Sequence, residues 1–174
     1  MSTFELKPEE RDLNTWAKKY WEENPKEFEL EQAAFDAGKR ILEKADFSAK
    51  NLENIVHWKS PRVVHHIGKN NPEKIETALQ KAIDLSTSVQ EAVSALSELC
   101  GVGVPMASAI LTAIFPDRYT IIDFRALEAL GHRAVEVEFY EEYLNRCQGL
   151  ASDLARNGMI HRQTDYPPQR PFVP

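Results

Sequence analysis

Metal-binding residues are sparse in this chain. Cysteine occurs only at Cys100 and Cys147, and that spacing matches no zinc-binding pattern. His65 and His66 are adjacent, which is not the i, i+4 spacing of two ligands on one helix face, and the other histidines are scattered. The sequence therefore predicts reduced thiols and no metal site.

Long hydrophobic runs are also missing. No stretch approaches the ~20 apolar residues of a membrane-spanning helix, although 43% of the residues are hydrophobic. Residues 1–12 are rich in charge and lack the apolar core of a signal peptide. These absences predict a cytoplasmic location without a membrane partner. The length of 174 residues predicts one domain with a substantial core.

An excess of positive charge is lacking as well. The chain holds 21 Lys and Arg against 27 Asp and Glu, which gives a net charge of −6. That balance argues against a strong, indiscriminate nucleic-acid binder. Cations nevertheless outnumber acids over residues 57–81, namely Lys59, Arg62, Lys69, Lys74 and Lys81 against Glu73 and Glu76. Two interpretations fit this segment: a local basic surface, or an ordinary solvated helix face.

Apolar residues recur at helical spacing through most of the chain, and neither paired strands nor repeats are visible. Capping residues followed by proline mark helix starts at Ser60-Pro61 and Asn71-Pro72. The sequence predicts an all-α domain of about nine helices over residues 1–158. Residues 159–174 contain four prolines and no periodicity, which predicts an irregular tail.

Two glycines one residue apart separate two helical patterns, in Leu99-Cys100-Gly101-Val102-Gly103. Glycine permits backbone angles and a close approach that a side chain would block. A helical hairpin over about 89–115 would gather backbone amides and a positive helix end in one concavity that suits a phosphate. The residues predicted to hold the phosphate are Gly101, Val102, Gly103, Val104, Pro105 and Met106. An ordinary helix–helix turn with a C-cap glycine is the alternative.

A single aspartate, Asp123, follows the apolar run that ends at Ile122 and precedes a helical pattern beginning at Phe124. Aspartate before a helix is a common N-cap, so Asp123 is predicted to cap this helix. A carboxylate in that place can also stabilise positive charge on a reacting sugar or orient a water molecule. The two roles are compatible because a cap fixes the carboxylate.

These motifs resemble those of the helix-hairpin-helix DNA glycosylase superfamily, which includes endonuclease III, the adenine-mismatch glycosylase and the alkylbase glycosylases. The family hairpin reads Leu-Pro-Gly-Val-Gly, with Cys100 here in place of proline, and Asp123 stands at the spacing of the family's catalytic aspartate. The resemblance covers residues 89–131 and extends by helix order back to about residue 30. It implies a compact, two-lobed helical domain with DNA lying across the hairpin and a pocket between the lobes.

Three departures from the family pattern narrow what the resemblance implies. Pro105 stands where bifunctional members carry the lysine that forms a Schiff base, so no lyase activity is expected. Two cysteines cannot supply the four-cysteine iron–sulfur loop of some members. No cofactor is therefore expected, except for a monovalent cation at the main-chain carbonyls of the hairpin. Phe124-Arg125 replaces the Thr-His that follows the aspartate in many members.

The resemblance also implies which residues receive the base. Trp58, Lys59 and Arg62 fall, by helix order, at the helix end that faces the lesion in the family. Trp58 would stack on an extruded base, while Lys59 or Arg62 would donate to a base carbonyl or a phosphate. The alternative is a tryptophan packed beneath a turn beside two solvated cations.

The function expected from the sequence is that of a monofunctional DNA glycosylase. It would flip a damaged or modified base out of double-stranded DNA and, with Asp123, hydrolyse the N-glycosidic bond to leave an abasic site. The protein would act as a monomer, in base-excision repair or in defence against modified phage DNA. The alternative is a DNA-structure-binding protein that keeps the hairpin without the chemistry. Pro105, Phe124 and the acidic charge balance keep that alternative open.

Overall fold

The computed structural model describes residues 12–129 and 137–156. Within these ranges the chain forms nine α-helices and no β-strand, which confirms the predicted all-α class. The helices are α1 (Leu13–Glu23), α2 (Pro25–Lys44), α3 (Ala49–Lys59), α4 (Val64–Ile67), α5 (Pro72–Ile83), α6 (Val89–Ser97), α7 (Val104–Ile114), α8 (Phe124–Ala129) and α9 (Val137–Arg156), with a 3-10 helix (Pro61–Val63) between α3 and α4. The predicted tail over 159–174 lies outside the described residues. Across both described ranges, no helix combines the length and the hydrophobicity needed to cross a bilayer.

Helix starts follow the local capping chemistry of the sequence. The side chain of Asn71 accepts a hydrogen bond from the Lys74 amide at 3.0 Å at the start of α5. Ser88 and Glu91 form a reciprocal capping box at the start of α6. Ser48 occupies the predicted cap position before α3, but its side chain makes no capping hydrogen bond. Polar side chains therefore set the starts of α5 and α6 locally.

Helix α7 forms the centre of the core. Every residue from Met106 to Ile114 is buried, and α7 packs against α2, α3 and α6. A helix that is apolar on all sides must be surrounded by other helices. The second helix of the hairpin is therefore firmly fixed in the core.

Gly38 on α2 allows the close approach of α2 to α7. A Cβ atom placed on Gly38 would lie 1.9 Å from the carbonyl oxygen of Ala113, and that oxygen belongs to backbone that cannot rotate away. Only glycine fits at this crossing, although its φ angle is not in the left-handed region.

We expect Gly38→Ala to lower the free energy of unfolding by about 3 kcal/mol, because the added methyl group forces α2 away from α7. Gly149→Ala on α9 is the matched control, since no atom lies within 4 Å of its added Cβ. That variant should gain about 0.5–1 kcal/mol from helix propensity. Urea unfolding followed by circular dichroism measures both, and equal stability of the two variants would contradict the crossing geometry.

Candidate functional site

Two tyrosines of α9 hold the extended segment that leads to Asp123. The Tyr140 hydroxyl donates to the carbonyl of Thr120 at 2.8 Å, and the Tyr143 hydroxyl donates to the carbonyl of Ile121 at 2.9 Å. Both side chains are buried, and burial raises the pKa of each phenol far above its usual value. The hydroxyls therefore keep their protons and act as fixed donors to the segment.

Helix α7 holds the same segment from the other side. The amide of Ile122 donates to the hydroxyl of buried Ser108 at 3.1 Å, and that hydroxyl donates to the carbonyl of Pro105 at 2.9 Å. Ser108 thus links the residue before Asp123 to the first turn of α7. A buried amide without a hydrogen-bond partner would cost free energy of folding, so the Ser108 hydroxyl stabilises this position of the segment.

Asp123 uses both carboxylate oxygens. Oδ1 accepts from the amides of Arg125 and Ala126, each at 3.0 Å, so Asp123 caps α8 as its position in the sequence predicts. Oδ2 accepts from Nζ of Lys59, the last residue of α3, at 2.5 Å. The sequence placed Lys59 in the base pocket, but it gave no sign of this ion pair.

The protein environment keeps the Asp123 carboxyl ionised. Burial raises its pKa, but hydrogen bonds from Lys59 and from the Ala126 and Arg125 amides, together with the Lys59 charge, outweigh that effect. The net pKa is lowered from its ordinary value. A negative charge at this position is therefore present at neutral pH.

Asp123 lies on the wall of a cleft of about 740 Å³, which we call the Asp123 cleft. The cleft brings together most of the site residues expected from the sequence: Trp58, Lys59, Arg62, Gly101, Gly103, Pro105, Met106 and Asp123. Val102 and Val104 do not line it, since both pack against the core. The base-pocket group and the hairpin group thus face one cavity.

The hairpin turn requires glycine at one position and tolerates another residue at the second. Gly101 has a φ of +87°, and a Cβ there would lie 2.6 Å from Cβ of His66 on α4. Gly103 caps α7 with an extended backbone, and a Cβ there would meet only Pro105, at 4.0 Å. The conformation of the turn therefore requires glycine at position 101 but not at position 103.

The hairpin amides divide into two groups. The amide of Val102 donates to the carbonyl of Leu99, and the amide of Met106 donates to the carbonyl of Gly103. The amides of Gly103 and Val104 donate to no acceptor in the described part of the chain. The Gly101 amide likewise donates to no acceptor among the described residues, so any phosphate contact would fall to these three amides near the positive end of α7.

Two residues of the preceding segment fasten the turn through contacts that the sequence did not predict, and one of them, Lys74, belongs to the cation-rich segment 57–81. Asn70 accepts from the Cys100 amide at 2.7 Å through Oδ1 and contacts the Cys100 carbonyl at 3.3 Å through Nδ2. Lys74 Nζ donates to the carbonyl of Glu98 at 2.5 Å. Their contacts span 30 and 24 positions in the sequence, respectively. No local pattern marks them.

A second carboxyl, Glu31 of α2, also lines the Asp123 cleft. Its Oε2 atom is buried and has no hydrogen-bond partner within the described residues. Desolvation by burial raises the pKa of Glu31 to about 7. The sequence did not predict that Glu31 lies in this cleft, because glutamate in a charged helix is ordinarily a surface residue.

Aromatic side chains border the cleft at several points. Trp58 is half-buried and packs against Phe35 with ring centroids 5.5 Å apart. Trp58 therefore packs against the hydrophobic core and also lines the cavity. Phe124 is 69% exposed and carries the Arg125 guanidinium 5.5 Å from its ring centroid. These planar groups offer stacking surfaces for a base.

Comparisons with known proteins identify no relative. No protein-family model matches the chain, and neither a curated protein nor a solved structure matches it. Among the described residues, no cluster of three or more His, Cys, Asp or Glu side chains could hold a metal ion.

The buried Glu31 carboxyl makes the stability of the fold depend on pH. Its pKa of about 7 in the folded protein exceeds its ordinary value of 4.5. Between these values the folded state retains a proton that the unfolded state has lost, so stability falls as the pH rises through this window and stays reduced above it.

We expect Glu31→Gln to remove this penalty. After allowance for solvent screening, the variant should gain about 1–2 kcal/mol over the wild type at pH 8 relative to pH 4.5. Urea titrations at both pH values measure the difference. Glu29→Gln, which removes an exposed carboxyl from the same helix, is the matched control. A Glu31→Gln variant with the same pH dependence as the wild type would refute the assigned burial.

Proposed function

We propose that the protein is a DNA N-glycosylase that acts as a monomer on double-stranded DNA and removes a damaged or modified base. The observation that carries this proposal is that an ionised aspartate, stacking groups and an amide-presenting hairpin share one cleft. That constellation supports the proposal because the motifs of residues 89–131 resemble those of the helix-hairpin-helix DNA glycosylases. The biological setting would be base-excision repair or defence against modified phage DNA.

Phosphate binding is assigned to the hairpin. The amides of Gly103 and Val104 and the N-terminal end of α7 present partial positive charge beside the cleft. Arg62 and Arg125 add full positive charge to the cleft lining. These groups contact the DNA backbone and position it without reading sequence. A chain with a net charge of −6 would bind through this local surface.

Base recognition is assigned to the cleft itself. The target base must leave the helical stack before an enzyme can reach its glycosidic bond. Trp58 and Phe124 offer aromatic faces to the extruded base, and Arg62 offers hydrogen-bond donors to its edge or to a flanking phosphate.

Bond cleavage is assigned to the two carboxyls. The C1′–N bond breaks with its electron pair going to the base, and positive charge develops on the deoxyribose. The Asp123 carboxylate stabilises that charge, orients the water that adds to C1′ and accepts the proton that this water loses. Glu31, with a pKa of about 7, retains enough of its proton at neutral pH to protonate the departing base. The products are the free base and an abasic site.

We expect Asp123→Asn to lower base release by at least about 100-fold, because the amide keeps an oxygen for the α8 cap but loses the negative charge. DNA binding should be retained or become stronger. The assay uses a panel of duplexes with damaged and modified bases, followed by alkali to reveal abasic sites. Asp117→Asn, an exposed aspartate in the preceding turn, is the control. If the Asp123→Asn variant released the base at the wild-type rate, Asp123 would not be a catalytic residue.

The same panel tests the alternative of a DNA-structure-binding protein. Base release by the wild type from any duplex excludes that alternative. Binding to bent or gapped duplexes without release from any member of the panel would favour it instead. In that case the hairpin would retain its function while Asp123 would serve only as a cap.

We expect Gly103→Leu to weaken binding to every duplex by a similar factor. The backbone at Gly103 is extended and its Cβ direction is open, so the side chain fits the fold but covers the phosphate-facing amides. For the wild type, the slope of log K against log salt should be shallow, roughly −2 to −4, if about two to four phosphates are neutralised. Fluorescence anisotropy measures both, with Gly149→Leu on α9 as the control. Unchanged DNA affinity of the Gly103→Leu variant would contradict the assignment of phosphate binding to the hairpin.

A further inference from the structure

Helix α1 presents aromatic side chains to solvent beside the Asp123 cleft. Trp16 is 58% exposed and Tyr20 is 47% exposed, and a spacing of four residues places them on one face of the helix. Tyr20 also lines the cleft, together with the exposed ring of Phe124. Apolar groups that are exposed side by side indicate an interaction site, whereas scattered ones do not.

Cationic side chains accompany these rings. Nζ of Lys19 lies 5.5 Å from the centroid of the Trp16 ring. The Arg125 guanidinium, which stacks on Phe124, lines the cleft with Tyr20. Aromatic faces interleaved with cations are the chemistry that holds a single strand of nucleic acid, since the rings stack on bases and the cations contact phosphates. We call Trp16, Lys19 and Tyr20 the α1 strip.

The acidic neighbours of the α1 strip are compatible with this chemistry. Nζ of Lys19 lies 3.9 Å from Oε1 of Glu23, but the two side chains are 56% and 62% exposed, so the pair adds little and Lys19 can exchange it for a phosphate. Burial and the charges of Glu27 and Glu31 raise the pKa of Tyr20. The phenol therefore stays neutral at physiological pH and does not repel the DNA backbone.

The spacing of the two rings suits a strand that is not base-paired. Four residues of an α-helix advance about 6 Å along its axis, whereas successive bases in a duplex strand are about 3.4 Å apart. Bases stacked on Trp16 and on Tyr20 would therefore be drawn apart from each other. Base pairing in a duplex opposes that separation, so the α1 strip fits an unpaired segment.

We propose that the α1 strip binds unpaired nucleotides, so that the substrate is DNA with a single-stranded stretch next to the target base. This inference rests on the proposed function for the placement of the target base in the cleft. It deepens that function by naming a class of substrate. The strand would leave the cleft over Tyr20 and continue to Trp16 and Lys19, outside the groups assigned to the extruded base.

The first test measures binding of a fluorescently labelled oligothymidylate, which has no partner strand and no lesion. We expect the wild type to bind it, and Trp16→Leu and Tyr20→Leu each to weaken binding at least about fivefold, because leucine offers no stacking face. Trp16→Phe and Tyr20→Phe, which keep a ring, should retain most of the affinity. Leu85→Ala, which shortens an exposed apolar residue outside the cleft lining, is the matched control and should bind as the wild type does. Thermal melting checks that each variant is folded.

The second test compares base release from two duplexes with the same lesion, one fully paired and one with a mismatched stretch beside the lesion. We expect the wild type to release the base at least about fivefold faster from the mismatched duplex, because the α1 strip holds the unpaired nucleotides. Trp16→Leu should lose this preference while it retains release from the fully paired duplex.

Several results would overturn the inference. These are an oligothymidylate that does not bind to the wild type, affinity unchanged in folded Trp16→Leu and Tyr20→Leu, and an equal loss in Leu85→Ala. A wild-type dimer in sedimentation that Trp16→Leu converts to a monomer would also overturn it, since a second copy would then cover the strip. Base release from the fully paired duplex would stand in all these cases. Conversely, oligothymidylate binding through the strip without release from any lesion duplex would support the surface and contradict the proposed glycosylase activity.

Discussion

The ion pair between Lys59 and Asp123 is the contact on which the candidate site depends. It joins the end of α3 to the residue before α8, 64 positions later in the chain. The two side chains are only 17% and 27% exposed, so each charge has lost hydration that its partner must replace. Such a pair adds little net stability, but removing one member leaves an uncompensated charge. The pair therefore fixes geometry more than it strengthens the fold.

Helix α7 gives the hairpin and the carboxylate a common frame. Its first residues form the end of the hairpin to which we assign phosphate binding, and Ser108, one turn later, holds the amide of Ile122 beside Asp123. Because α7 is buried from Met106 to Ile114, it cannot shift without repacking the core. The spacing between the hairpin amides and Asp123 is thus set by one rigid element. A base-excising enzyme needs that rigidity, since the backbone must be held while the base is extruded.

The sequence could predict those features of the fold that depend on neighbouring residues in the chain. Helix caps at Asn71 and Asp123 follow from the side chain and the residues just after it, and the turn at Gly101 follows from its backbone. The contacts of Asn70 with the turn and the burial of Glu31 depend on residues far away in the chain. Polar residues in such places look like surface residues until tertiary packing buries them. The sequence therefore predicted the helical class, the Asp123 cap and most of the residues that line the cleft, but not the Lys59–Asp123 ion pair or the contributions of Asn70 and Glu31.

The pKa values of the two carboxyls in the cleft are shifted from their ordinary values in opposite directions. Burial acts on both, but only Asp123 receives a cation and two amide donors, so its pKa is lowered. Among the described residues Glu31 has no hydrogen-bond partner at Oε2, and its pKa rises to about 7. The cleft thus holds one ionised carboxyl and one that is about half-protonated at neutral pH, and glycosidases divide the roles of two carboxyls in a similar way. A protein that only bound DNA would gain nothing from a desolvated carboxyl, which weakens the fold above neutral pH. Because Glu31 and Asp123 line the same cleft, the proposed catalysis gives Glu31 a role that binding alone would not give it.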